Sequence, residues 1–104
     1  MSRVDLARLR SLVTQDIADS CTRLGLRCAG RIALTATTAP EWLDVARDLR
    51  GLVTDADRDS ERRAVAAAAT RMVSGDPIDA AGLMAQLHGM DLDTYVVELS
   101  AVAS

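Results

Sequence analysis

Apolar residues recur every three or four positions along most of this chain, and glycine or proline breaks the recurrence at a few places. Such spacing puts one apolar stripe on a helix with a polar face opposite. It is incompatible with strands, whose side chains alternate with period two. The clearest stretch runs from Ser2 to Leu24, where Leu6, Leu9, Val13, Ile17, Cys21 and Leu24 fall on one face. Ser2 reads as its N-cap, with Asp5 three residues on, and Gly25 as the residue just past its end. Arg3, Arg10 and Thr14 occupy the opposite face.

The same logic predicts four more helices. Thr38 and Pro40 open the second, with a stripe of Trp42, Ala46, Leu49 and Val53 flanked by Leu43 and Leu52. A third runs from about Asp59 to Ser74, where Val65, Met72 and Val73 accompany the smooth Ala66–Ala69 run. Asp76-Pro77-Ile78-Asp79 combines a cap, a first-turn proline and an early acid. It starts a fourth helix to His88, with Ile78, Ala81, Met84 and Leu87 inward. Gly89 ends it, and Asp91 with Thr94 starts a fifth, ending near Val102, with Tyr95, Val96, Leu99 and Val102 as its apolar face. Residues 26–39 are expected to form a loop: Ile32-Ala33-Leu34 suits a short strand or a helical turn, and a lone strand pair would be marginal. The expectation is a single all-α domain over 1–104, a small bundle of about five helices.

Composition limits what that bundle can be. Of 51 apolar residues 18 are Ala, Phe is absent, and Trp42 and Tyr95 are the only aromatics. The core must therefore be modest, built mainly from Leu and Val with Met filling gaps, and helped by self-association or a partner. All 12 basic residues are Arg, with no Lys and no Asn. That bias reads as GC-rich coding, as in a high-GC bacterium or its phages. Residues 1–35 carry six Arg against three Asp, a net +3, and residues 36–104 carry six Arg against twelve acids, a net −6. The split suits head-to-tail self-contact or an anionic partner. Charges fill the start where a signal peptide needs an apolar core, and no apolar run approaches the ~20 residues of a membrane span. A cytoplasmic protein with no membrane partner is expected.

One segment has motif character. Met84-Ala85, then Gly89-Met90-Asp91, then Thr94-Tyr95 and Leu99 resemble the skeleton of helix-turn-helix DNA-binding domains. There a small residue lets the helices cross, Gly makes the turn and a short polar residue caps the recognition helix. The resemblance covers the residues from 84 to 99 and implies reading of duplex DNA. Two departures weigh against that implication. His88 stands where an apolar residue is usual, and the second helix offers Asp91, Asp93 and Glu98 with no Arg to meet phosphates.

Other chemistries fail for lack of residues. Asp55-x-Asp57-x-Asp59 looks like the opening of a calcium loop, but Ser60 and Ala66 stand where Gly and a bidentate Glu are needed. The better role for these acids is to favour a helix N-terminus and pair with Arg58, Arg62 and Arg63. Cys21 and Cys28 with the single His88 cannot complete a zinc site, and are expected as free, buried small residues. His88 beside Gly89 is placed at the carbonyls ending the fourth helix. No phosphate loop or nucleophile elbow occurs. No metal, cofactor or catalytic residue is assigned.

What remains is a non-catalytic helical protein–protein interaction module, an adaptor, regulator or assembly subunit, with a second copy of itself as the expected partner. The candidate partner-binding residues are Leu6, Leu9, Val13 and Ile17 on the first helix, Tyr95, Leu99 and Val102 on the last, and Trp42, a buried anchor that becomes a hot spot if exposed; the default reading of both stripes is intramolecular core. The alternative is a small DNA-binding regulator holding phosphates with Arg8, Arg10, Arg23 and Arg27, joined by Arg3 and Arg31. A phage or secretion-type structural subunit forming rings or tubes is the further alternative.

Overall fold

The computed structural model describes residues 5–103, with side chains to Ala101. Six helices follow one another: α1 (Leu6–Arg23), α2 (Arg27–Thr35), α3 (Ala39–Gly51), α4 (Ala56–Val73), α5 (Pro77–Leu87) and α6 (Leu92–Ala103). No strand occurs among the described residues. The all-α expectation holds, with one helix more than about five.

The extra helix is α2, in the stretch expected as a loop. Its inward residues Ala29, Gly30 and Ala33 are too small to advertise a stripe, yet they are buried. They let α2 lie close along α1. A Cβ built on Gly30 would stand 2.9 Å from Thr22 Oγ1 and 3.1 Å from the Ala18 carbonyl oxygen. The interface is therefore backbone-close, which period-based reading of large apolar residues cannot detect.

Helix limits follow from caps. Asp5 is itself the N-cap of α1, its Oδ1 accepting from the Ala7 and Arg8 amides at 3.1 and 3.2 Å. It is not a residue inside the first turn, and Ser2 lies outside the described residues. At the far end Gly25, at φ 89°, lets the chain turn back. The Gly25 and Leu26 amides then donate to the Thr22 and Cys21 carbonyls at 3.0 and 2.8 Å. Helix α4 begins earlier than expected because Asp55 caps it, accepting from the Arg58 amide at 3.0 Å. Asp57 and Asp59 fall in its first turn, and Asp59 pairs with Arg62 and Arg63 at 2.8 Å each. Thr38 opens α3 together with Glu41, which accepts from the Thr38 hydroxyl at 2.8 Å and the Thr37 amide at 3.2 Å.

Neighbouring helices pair down the chain from α1 to α5, and α1 closes the bundle by packing on α4, α5 and α6. Helix α6 rests on α1 and α5. The core holds Leu9, Val13, Ile17, Trp42, Val45, Leu49, Val65, Met72, Met84 and Tyr95 among ten buried alanines. So many small residues keep the helices close, giving a radius of gyration of 12.8 Å, near the ~13 Å of a compact chain this long. Three positions expected on apolar faces point out: Leu6 is 52% exposed, Ile78 is 43% exposed, and Val53 lies beyond the end of α3 and is 94% exposed. Cys28 is exposed on α2 rather than buried, whereas Cys21 is in the core. No helix among the described residues is long and apolar enough to cross a membrane.

Candidate functional site

The buried face of α1 carries one acid. Leu9, Leu12, Val13, Asp16, Ile17 and Ser20 follow at helical spacing, so the register that buries the leucines also buries the Asp16 carboxylate. A buried carboxylate requires donors. Two reach it from the other end of the chain. The Tyr95 hydroxyl on α6 donates to Asp16 Oδ2 at 2.6 Å, and His88 Nε2 lies 3.0 Å from Oδ2 and 3.3 Å from Oδ1. A carboxylate only accepts, so the imidazole donates through Nε2. The two rings stack with centroids 6.0 Å apart and planes inclined by 18°, within the offset range favoured by aromatic pairs.

Local structure explains why His88 is free to do this. The α5 terminus is closed by backbone: Gly89, at φ 71°, donates to Gln86, and Met90 to Ala85, at 3.0 and 2.9 Å. The carbonyls expected to attract the imidazole already have partners, and the side chain crosses to α1. Tyr95 is fully buried, and burial first, then its bond to Asp16 and that carboxylate's charge, push its phenol well above the ordinary value. It therefore remains a hydrogen-bond donor throughout the neutral range. The brace joins α1, the α5 terminus and α6 at one point.

Beside the brace lies an open cleft of about 800 Å³ between α1, the α5–α6 turn and α6. Leu12, Met90 and Leu99 supply its apolar wall, and Ser11 and Gln15 add neutral polar groups. Its charged lining is Asp16, Asp19 and Glu98 against Arg8 and the half-buried His88. With Asp16 bonded within the brace, Asp19 and Glu98 are the carboxylates left to face the Arg8 guanidinium. A reactive thiol is absent from the lining. Cys21 is elsewhere in the core, where burial and the nearby Asp48 charge push its thiol up to about 11. Among the described residues no three His, Cys, Asp or Glu side chains are grouped as a metal ion would need.

The residues singled out as partner-binding divide sharply. Leu9, Val13, Ile17, Trp42 and Tyr95 are all at most 3% exposed. These five side chains are thus intramolecular core. Leu6 is 52% exposed, Leu99 is half-buried in the cleft wall, and Val102 lies outside the described side chains.

The basic candidates are engaged in different ways. Arg8 faces the cleft, Arg10 Nη2 donates to the Gly75 carbonyl at 2.6 Å, and Arg23 bonds Ser20 at 2.7 Å and Glu61 at 3.4 Å. Arg27 is exposed on α2, and Arg3 lies outside the described residues. On α6, the second helix of the helix-turn-helix-like pair, Tyr95 points into the core and the exposed positions include Asp93, Thr94, Val97 and Glu98.

Asp16, Asp19, Leu12 and Met90 were not among the candidates. For Asp16 a signal existed: it is an acid in phase with the apolar stripe, seven residues after Leu9 and three after Val13. Comparison with known protein families, with curated proteins and with solved structures finds no match.

Proposed function

We propose that this protein is a non-catalytic helical interaction module that associates with further copies of itself, and that the cleft beside the Asp16–His88–Tyr95 brace is its docking site. The cleft carries this reading: about 800 Å³ of open space with an apolar wall and an excess of carboxylates. That combination suits a segment presenting both apolar and cationic side chains, with the apolar part supplying affinity and the charges orienting it. The brace holds the wall still, since its three side chains come from elements far apart in the chain, and a preorganised surface loses less on binding. His88 Nε2 serves Asp16 within the brace. Its role there is architectural.

Sedimentation velocity of the intact chain from low to high micromolar concentration tests the reading, beside a variant carrying Asp19→Arg and Glu98→Arg. Association of the natural chain that the variant abolishes is the expected result. A natural chain that stays monomeric removes self-association, and association indifferent to the variant removes the cleft as its site. Tight binding to random duplex DNA that collapses as salt rises would overturn the reading in favour of the arginine-based alternative.

A further inference from the structure

The cleft's occupant can be sought within the chain itself. Helix α2 exposes Arg27, Arg31 and Leu34, the last 50% exposed. Their i, i+4, i+7 spacing sets two cations and one aliphatic side chain in a single row. Among the described residues neither Arg27 nor Arg31 is in an ion pair, and the same is true of Asp19 and Glu98 at the cleft. Each surface therefore has two charges outside any ion pair of the sign the other needs, next to apolar side chains, although the cleft also holds Arg8, and Asp19 accepts from Gln15 at 2.9 Å.

Size agrees with charge. Helix α2 has nine residues, about 13 Å of helix, and Arg27 to Leu34 spans about 10 Å. The α1 wall of the cleft runs from Arg8 to Asp19, about 17 Å along the axis. Helix α2 cannot reach the cleft of its own chain, because Ala29, Gly30 and Ala33 bind it to α1.

We infer that the cleft receives α2 of a second copy, with Arg27 and Arg31 facing Glu98 and Asp19 and Leu34 against Leu12 and Leu99. This rests on the cleft being the docking site, as proposed above. One contact joins two different surfaces, so in a bound pair one copy keeps a free α2 and the other a free cleft. Repetition then yields a reciprocal pair, a larger ring or an open filament, according to the rotation between successive copies.

Charge reversal decides it. Variant one carries Arg27→Glu and Arg31→Glu, and variant two carries Asp19→Arg and Glu98→Arg, all at exposed positions that leave the core intact. Circular dichroism first confirms that both are folded. Each alone is expected to lose association by more than about tenfold in Kd, because like charges then face each other. An equimolar mixture is expected to recover it, since the acidic α2 of the first meets the basic cleft of the second and the natural α2 of the second meets the natural cleft of the first. The natural chain should weaken steeply with salt. Association lost in variant two but kept in variant one would overturn α2 as the occupant while leaving the cleft as the site. Association kept in both would remove the cleft as well. Two variants that fail alone and fail to recover when mixed would overturn the pairing.

Discussion

Replacing Tyr95 by Phe removes one oxygen atom from the brace and nothing else. The ring, fully buried and stacked at 6.0 Å from His88, retains its place, so no cavity opens. The loss is the 2.6 Å bond to Asp16 Oδ2. A hydrogen bond to a charged acceptor contributes about 1.5–3 kcal/mol when the abandoned partner remains buried. Asp16 is about 9% exposed, lines the open cleft and retains His88, so water can partly replace the phenol. The lower half of that range follows, about 2 kcal/mol. Urea unfolding followed by circular dichroism and by fluorescence of Trp42, a core residue outside the brace, measures it. With a slope of about 1–3 kcal/mol per molar, the midpoint should fall by roughly 1 M at unchanged slope. Asp16→Asn supplies the second arm of a double-mutant cycle, where the two losses should sum to more than the double variant shows. A Tyr95→Phe protein within about 0.5 kcal/mol of the natural chain, or losses that add fully, would show that Tyr95 anchors α6 by its ring alone.

Gly30→Ala should destabilise by about 1–3 kcal/mol through overpacking against the Ala18 carbonyl, despite alanine's better helix propensity. Gly82→Ala, in α5 with nothing near the new methyl, should instead stabilise by up to about 1 kcal/mol; thermal melts of both check the pair. Maleimide should modify exposed Cys28 rapidly and Cys21 only as the protein unfolds, giving one fast and one slow thiol by mass spectrometry. Because burial raises Cys21 from 9.0 to about 11, its contribution to stability is present below pH 9.0 and lost as pH rises toward about 11. Melts across that window should decline, less so for Cys21→Ala. Glu41, Asp59 and Asp91 are held below their ordinary values by the Thr37 amide, Arg62 and the Thr94 amide respectively. Their stabilisation exists above the ordinary values of 4.5, 3.8 and 3.8 and is lost as pH falls through the lower folded ones, so acid melts should drop there and flatten in the Gln and Asn variants.

How much of this was legible depended on the size of the side chains that carry each feature. The helices with Leu, Val or Trp stripes and Asp or Thr caps were readable because periodicity weights large apolar residues. Helix α2 was not, because its buried side is Ala29, Gly30 and Ala33, which read as neutral in any hydrophobic pattern. The role of Trp42 and of the Leu9–Val13–Ile17 row was ambiguous, since an apolar stripe looks the same whether it meets its own chain or another. Burial resolves it: these stripes close one core. The brace was hidden for a different reason. Asp16 is separated from His88 by 72 residues and from Tyr95 by 79, and only the docking of α1 on α5 and α6 brings them together. A polar residue in phase with an apolar row was the one trace it left.

That trace also explains why the brace and the cleft occur together. Helix α6 packs chiefly on α1 and α5, and among its described side chains Tyr95 is fully buried while Leu92, Val96 and Leu99 are partly buried against the core. A terminal helix held mainly by partly buried side chains is the kind of element that opens locally before the rest. Glu98 and Leu99, which form the α6 side of the cleft, would leave with it. Tyr95 opposes this with both its ring and its bond to Asp16, and His88 fixes the turn that delivers α6. The polar cluster therefore stands where a purely apolar core residue would fill space without choosing an orientation. A short, directional bond from the last helix to the first sets the position of the cleft's outer wall. A cleft occupant touching both α1 and α6 would in turn favour the docked helix, because whatever binds the closed form alone adds its binding free energy to that form.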